Sequence, residues 1–253
     1  MRLAMLGSGS SGNATWVEAG GTAVLVDCGF NLGETERRLE RLGCDPGRLA
    51  AILVTHEHGD HLGGVGRLAR RHDLPVWLTR GSAGGWRDGE GVQRHWIDPL
   101  RPWTLGALTL QPFPVPHDAR EPCQFVIEGA GCRLGIVSDV GHVTPHMRRV
   151  LHDCDALLLE CNHDPDLLAE GPYPPRLKDR VGGAYGHLSN AQAADLLASI
   201  RTPRLRALVL THLSQQNNRP ALARAAVCEV LQDDPDWCRC AGQEDGTGWI
   251  ELA

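Results

Sequence analysis

Seven consecutive residues, Thr55-His56-Glu57-His58-Gly59-Asp60-His61, constrain the fold of this chain more than anything else in it. They bring three imidazoles and a carboxylate (His56, His58, Asp60 and His61) directly behind the apolar run Ala51-Ile52-Leu53-Val54. Such a run reads as a buried strand. In extended backbone alternate side chains share one side, so His56 and His58 point the same way. Gly59 permits a sharp turn, and Asp60 and His61 then reach the same pocket from the first turn of a following helix. Polar side chains packed this densely do not belong in a hydrophobic core. Imidazole and carboxylate suit borderline divalent ions such as zinc, and also manganese or iron. His-x-His can hold one ion and Asp-His a second, with the two ions about 3.5–4 Å apart as a clamp for an in-line displacement. Four residues do not saturate two ions, so the fold must deliver further ligands from distant parts of the chain.

Three candidates stand at the ends of expected strands. His117 follows the run Leu105–Phe113, although alone it could also be a surface-loop histidine. Asp139 ends the apolar run Arg133–Val137, where its two oxygens can bridge two ions, or where an aspartate can simply cap a turn. His212 follows Ala207–Leu210, and Leu210-Thr211-His212 echoes Val54-Thr55-His56.

Around these residues the pattern is mixed. Arg2–Leu6, Thr15–Val17 and Ala23–Asp27 read as opening strands, separated by the turn signals Gly7-Ser8-Gly9-Ser10-Ser11-Gly12 and Gly20-Gly21. Helices are expected over Glu34–Leu42, from the histidine cluster to about Arg71, over Thr144–His152 with Thr144 as N-cap, over Ser189–Ile200 and over Pro220–Leu231. Gly129-Ala130-Gly131 marks a hairpin. Gly81 to Pro102 has no clear pattern, and Gly171 to Gly186 reads as a loop. Strands first, then strands alternating with helices, fit an α+β chain in which two packed sheets carry helices on their outer faces. With 253 residues, 42% of them hydrophobic, and no strong linker, one domain over 1–253 is the economical expectation. No apolar run is long enough to span a bilayer, the start does not read as a signal peptide, and a cytoplasmic location is expected. The nine cysteines include no C-x-x-C pair and read as free thiols. A net charge of −6 argues against a protein coated in positive charge, but two bound divalent ions would supply about +4 where a phosphate must sit.

Taken in order, Thr55 to His61, His117, Ser138-Asp139 and Thr211-His212 resemble the motifs of the metallo-β-lactamase fold hydrolases over nearly the whole chain. Val24-Leu25-Val26-Asp27-Cys28-Gly29 resembles that family's early strand and Asp-x-Gly motif, which implies that Asp27 supports the metal site without ligating. Gly7 to Asn13, Leu159-Glu160-Cys161-Asn162-His163-Asp164, Gly186-His187-Leu188-Ser189-Asn190 and Thr211 to Asn218 resemble its YycJ/WalJ branch, near the PhnP-type phosphodiesterases and more distantly RNase Z. The resemblance implies a four-layer αββα sandwich with the metals at one edge of the two sheets. It assigns His56, His58, His117 and Asp139 to one ion, Asp60, His61, Asp139 and His212 to the other, and a further histidine beside the metals to His187. No obvious inserted domain or long arm points to the RNase J-like or RNase Z-like members.

The function implied is phosphodiester hydrolysis, most specifically by a DNA exonuclease. A hydroxide between two zinc or manganese ions would attack, Asp60 would orient it, and His187 would act as acid or stabilise phosphate. Asn13, Asn162, His163 and Asn217 are candidate substrate contacts, although amides at turns often bond the local backbone. Trp86, Trp96 and Trp103 could stack on bases or anchor a core. The rival readings are a small cyclic phosphodiesterase, a thioester or lactam hydrolase on the same fold, and a non-enzymatic, metal-stabilised interaction domain. The absence of a cysteine from the cluster argues against a lactamase with cysteine as ligand.

Overall fold

The apolar runs pair into two sheets of seven strands in a computed structural model that describes residues 1–200, 204–232 and 236–252. In chain order Arg2–Gly7 (β1), Ala14–Ala19 (β2), Thr22–Val26 (β3), Leu49–Leu53 (β4), Val76–Leu78 (β5) and Arg94–Trp96 (β6) form most of the first sheet. Trp103–Leu105 (β7), Leu108–Pro114 (β8), Cys123–Gly129 (β9), Cys132–Val137 (β10), Ala156–Glu160 (β11), Ala207–Thr211 (β12) and Cys238–Cys240 (β13) form the second. Ile250–Glu251 (β14) returns to the first sheet beside β1. The helices are Leu32–Arg41 (α1), Gly59–Leu62 (α2), Val65–His72 (α3), Arg80–Gly85 (α4), Pro145–Val150 (α5), Pro165–Glu170 (α6), Pro175–Val181 (α7), Asn190–Ile200 (α8) and Pro220–Leu231 (α9).

Side-chain alternation along the strands builds the layers. Val24, Val26, Leu134, Ile136, Leu158 and Val209 face inward and fill the space between the sheets with Phe125 and Ile127. Their neighbours face out. Leu25 and Ile52 pack under Leu39 of α1 and Val65 and Leu68 of α3. Leu157, Leu159, Leu208 and Leu210 pack under Met147 of α5, Leu196 and Leu197 of α8, and Val227 of α9. The strands are therefore apolar on both faces, as parallel strands covered by helices must be. The layer order is helix, sheet, sheet, helix, as the resemblance implied. Among the described residues no helix is long and apolar enough to cross a membrane.

Most sequence expectations hold. The β9–β10 hairpin turns on Ala130 and Gly131, both at positive φ. Thr144 caps α5 by accepting from Met147 N, and Ser189 caps α8 by accepting from Gln192 N. Three segments differ. The stretch from Gly81 to Pro102 holds most of α4 and the edge strand β6, whose residues are exposed or half-buried and so carry no alternation. The run Leu105–Phe113 breaks at Gly106 (φ 56°) into the hairpin β7–β8. The loop expected from Gly171 to Gly186 contains α7. Pro175 sits at its first turn, where the missing N–H costs nothing, and no residue of α7 is buried, so no apolar period reveals it.

Strands β3 and β4 run parallel, as do β10, β11 and β12. Each expected metal ligand follows the C-terminal end of one of these strands or of β8, Asp60 and His61 from the short helix α2 after β4, so one edge of the two sheets gathers them.

Candidate metal centre

Beyond β4 the backbone stays extended to His58 (φ −62°, ψ 149°), and α2 starts at Gly59. His56 and His58 thus approach from the strand side, and Asp60 and His61 from the helix. Across the gap, two residues past the end of β10, stands Asp139, a buried residue whose Oδ2 lies 2.8 Å from His61 Nε2, 3.3 Å from His56 Nε2 and 3.9 Å from His117 Nε2. Its other oxygen contacts His212 Nδ1. Asp60 Oδ2 lies 3.5 Å from His61 Nε2 and 3.7 Å from His212 Nε2. All seven expected ligands meet, and they fall into two sets with Asp139 in both: His56, His58, His117 and Asp139, then Asp60, His61, Asp139 and His212.

The outer nitrogens of four of these imidazoles are occupied, and this decides what the inner ones can do. His61 Nδ1–H donates to Asp27 Oδ2 at 2.8 Å, and His117 Nδ1–H donates to the Gly186 carbonyl at 3.0 Å. His58 Nε2–H donates to the Asp118 carbonyl at 3.3 Å. Thr55 Oγ1 gives its proton to Asp27 Oδ2 and accepts from His56 Nδ1 at 3.0 Å. Each ring's inner nitrogen is then the one free to turn a lone pair to an ion. His117 Nε2 and His58 Nδ1 face each other at 3.2 Å with no proton between them. His56 Nε2 and His212 Nε2 are buried without a hydrogen bond. Acceptors converging on acceptors in a largely buried site suit a cation. The donor set is one that borderline divalent ions take, so these residues fit such an ion.

Electrostatics agree. Burial and the neighbouring imidazole of His61 push His56 down to about 4, so it is neutral at pH 7, as a ligand must be. Burial alone would raise Asp139, yet His212 and His61 hold its carboxyl well below the usual range. Burial would lower His212, but Asp139 and Glu160 carry it to about 10. In the ion-free site protons stand in for cations around Asp139, and metal binding must release them. The backbone is strained here as well: Asp27, Asp139 and His212 sit at φ 60°, 54° and 53°, a region that residues with a Cβ rarely adopt.

Asp27 lies behind the cluster. Its Oδ1 accepts from Thr55 N at 2.8 Å while Oδ2 orients His61, so one carboxylate fixes β3, β4 and α2 relative to one another. His187, on the loop between α7 and α8, donates from Nδ1 to Glu160 Oε1 at 2.7 Å. Burial lowers its pKa, but Glu160 and Asp139 more than reverse this, and the net shift is upward. Glu160 was not singled out in the sequence. It is fully buried, ends β11, accepts from Val140 N and Leu188 N, and joins Asp139, His187 and His212 in a third cluster. Its signal was available: like Asp139, it is an acidic residue at the end of a wholly apolar strand.

The four candidate substrate contacts are all buried. Asn13 Nδ2 donates to the Gly9 carbonyl at 3.0 Å and reaches Asp60 Oδ2 and His61 Nε2 at 3.4 and 3.2 Å. Asn162 Nδ2 donates to the His212 carbonyl. Asn217 bonds Ser214, and His163 pairs through its backbone with Ser189 and Asn190. Trp103 stacks on Trp77 in the core, Trp86 is buried, and Trp96 is half-exposed beneath Arg80. At the mouth of the site Arg180 Nε donates to Asp118 Oδ2 at 2.6 Å.

This geometry has relatives. Residues 22–213 match the family model described as the beta-lactamase superfamily domain. The chain belongs to the beta-lactamase superfamily. Within it the chain falls in the YycJ/WalJ branch of metal-dependent hydrolases. It is 33% identical to exodeoxyribonuclease YycJ of Bacillus anthracis, covering 92% of this chain and 90% of that protein. It is 31% identical to exodeoxyribonuclease WalJ of Streptococcus pneumoniae strain D39, covering 91% and 88%. Among solved structures, the metallo-beta-lactamase fold protein YhfI of Bacillus subtilis superposes with a TM-score of 0.74 at 17% identity, covering 99% of both chains. That likeness is one of fold.

Proposed function

We propose that this chain is a two-metal phosphodiesterase that removes nucleotides from the ends of DNA strands. The observation that carries the reading is Asp139, one buried carboxylate shared by two ligand sets, with bare imidazole nitrogens facing it. His56, His58, His117 and Asp139 would hold one ion, and Asp60, His61, Asp139 and His212 the other. Zinc and manganese both suit these donors. Bound there, the ions would bring a water into reactive form at neutral pH and offset charge on the phosphate.

The protein's own groups do the rest. Asp60 is the more exposed of the two ligand carboxylates and orients the attacking water. Glu160 occupies His187 Nδ1, so His187 offers Nε2 to the cleft and gives a hydrogen bond or proton to the phosphate or leaving oxygen. Asp27 locks the ring of His61. Asn162, His163 and Asn217 hold the cleft loops, and Asn13 is the one whose amide reaches ligand side chains and remains a substrate contact. Arg180 takes a phosphate at the mouth. Residues 1–253 act as one catalytic domain, and buried thiols such as Cys28, Cys123 and Cys161 suit the reducing cytoplasm. The names of the YycJ and WalJ relatives support DNA as substrate.

The test is digestion of end-labelled single-stranded and duplex DNA with manganese or zinc. Stepwise shortening that stops on chelation is the expected result. Intact DNA together with opening of a small cyclic phosphodiester would overturn the DNA assignment, and no cleavage of either would overturn the phosphodiesterase.

A further inference from the structure

Helix α5 connects the metal end of the second sheet to its opposite end. It starts six residues after Asp139 and runs back along the sheet, because β10 and β11 on either side of it are parallel. Beside its start, His142 is exposed and donates to the Ala184 carbonyl, in the loop that carries His187. Tyr185 of that loop is 62% exposed. Along the outer face of α5, Arg149 is exposed and has no carboxylate partner among the described residues. Arg148 reaches only the Asp195 carbonyl, at 3.5 Å.

Beyond the helix lies a cavity of about 680 Å³ walled by Arg133, Arg148, Arg149, Arg204, His152 and Asp153. Two of these arginines are committed to the fold: Arg133 to Glu128 and the Val150 carbonyl, Arg204 to Asp155. His152 and Asp153 pair with each other at 3.1 Å. The charge left over is that of Arg148 and Arg149. Uncompensated positive charge on one face is informative in a chain whose net charge is −6. A strand position advances about 3.3 Å, so Arg133 lies roughly 20 Å from Asp139. A lone phosphate does not need a cavity of this size lined by two arginines without carboxylate partners among the described residues, whereas a polyanion can use it.

We propose that the outer face of α5 is a track for a DNA strand leaving the metal centre, its phosphates passing His142 and settling on Arg148 and Arg149 at the cavity. The inference rests on DNA being the substrate, and it adds where the uncut part of that substrate lies. Tyr185 and His142, in edge contact at 6.4 Å, offer a base its first stacking surface outside the metals. Short phosphodiesters that end at the mouth do not feel the track.

The experiment measures binding of a long single-stranded oligonucleotide by fluorescence anisotropy. It compares the wild type, R148Q/R149Q, and the control R67Q/R71Q, which removes the same charge from exposed positions on α3. Hydrolysis of bis(p-nitrophenyl) phosphate and of the oligonucleotide is followed in parallel. The expected result is a roughly tenfold weaker Kd for R148Q/R149Q, with a salt slope shallower by about 0.7 for each arginine. Hydrolysis of bis(p-nitrophenyl) phosphate is unchanged, and the control loses much less. Equal losses in the two variants, unchanged binding in R148Q/R149Q, or no DNA binding by the wild type would each overturn the track. Binding that follows the prediction without cleavage of the oligonucleotide would leave the track standing and remove the exonuclease.

Discussion

The same three parallel strands have polar clusters at both ends, and the two clusters differ in kind. Where β10, β11 and β12 begin, Asp155 is buried, but every demand it makes is met. Its carboxylate accepts from Arg133 N at 2.8 Å, from Arg204 at 2.9 Å and from Arg206 at 3.4 Å, and its backbone N–H and carbonyl are both bonded. Where the same strands end, Asp139, Glu160 and His212 stand among imidazoles, and His56 Nε2 and His212 Nε2 are buried with no hydrogen-bond partner. The first cluster is closed and stabilises the fold. The second is a set of acceptors around an open position, held by strained backbone at Asp139 and His212. A buried charge by itself indicates neither role; whether its partners complete it does.

The sharpest way to break this contrast is to remove one carboxylate from each end. Asp139→Asn takes a ligand from both ion sets, and activity should fall beyond the roughly 100-fold ceiling typical of supporting residues, with metal lost as read by elemental analysis. His187→Ala should lower kcat by about 10²–10⁴-fold while metal content stays at the wild-type level. Glu160→Gln should follow it in direction if Glu160 acts through His187; loss of metal instead would place Glu160 among the ligands. Asp27→Asn should weaken metal affinity by about 10–100-fold, measured by titration with a competing chelator, because His61 loses the partner that orients it. Asp155→Ala should cost only stability, about 1–3 kcal/mol in a urea melt, with metal content and activity unchanged. A loss of metal in that last variant would erase the distinction between the two ends.

How much of this was legible in the sequence follows from the same contrast. The cluster from His56 to His61 was legible because its residues are local and dense. His117, Asp139 and His212 were legible as polar residues just past apolar strands. Glu160 obeys the same rule, yet one acidic residue inside a longer polar segment gave no pattern to set it apart. The support of His61 by Asp27 was implied by family resemblance, since the residues lie 34 apart and only the pairing of β3 with β4 joins them. Asp155 and its arginines were invisible, because ion pairs at the start of strands have no periodicity. Helix α7 was hidden because it buries nothing, and β6 because it is an edge. Free thiols are expected at the cysteines, and Cys28, Cys44, Cys123, Cys132, Cys154, Cys161 and Cys240 stand as free thiols.

The dense cluster at His56 to His61 alone supports a metal site, whereas the account claims two ions sharing Asp139. Elemental analysis of wild-type protein prepared without chelator and saturated with zinc or manganese tests this directly, alongside Asp139→Asn. The expected result is two ions per wild-type chain and loss of both sites' tight binding in the variant. One ion per chain at saturation, or two ions retained when Asp139 is replaced, would contradict it.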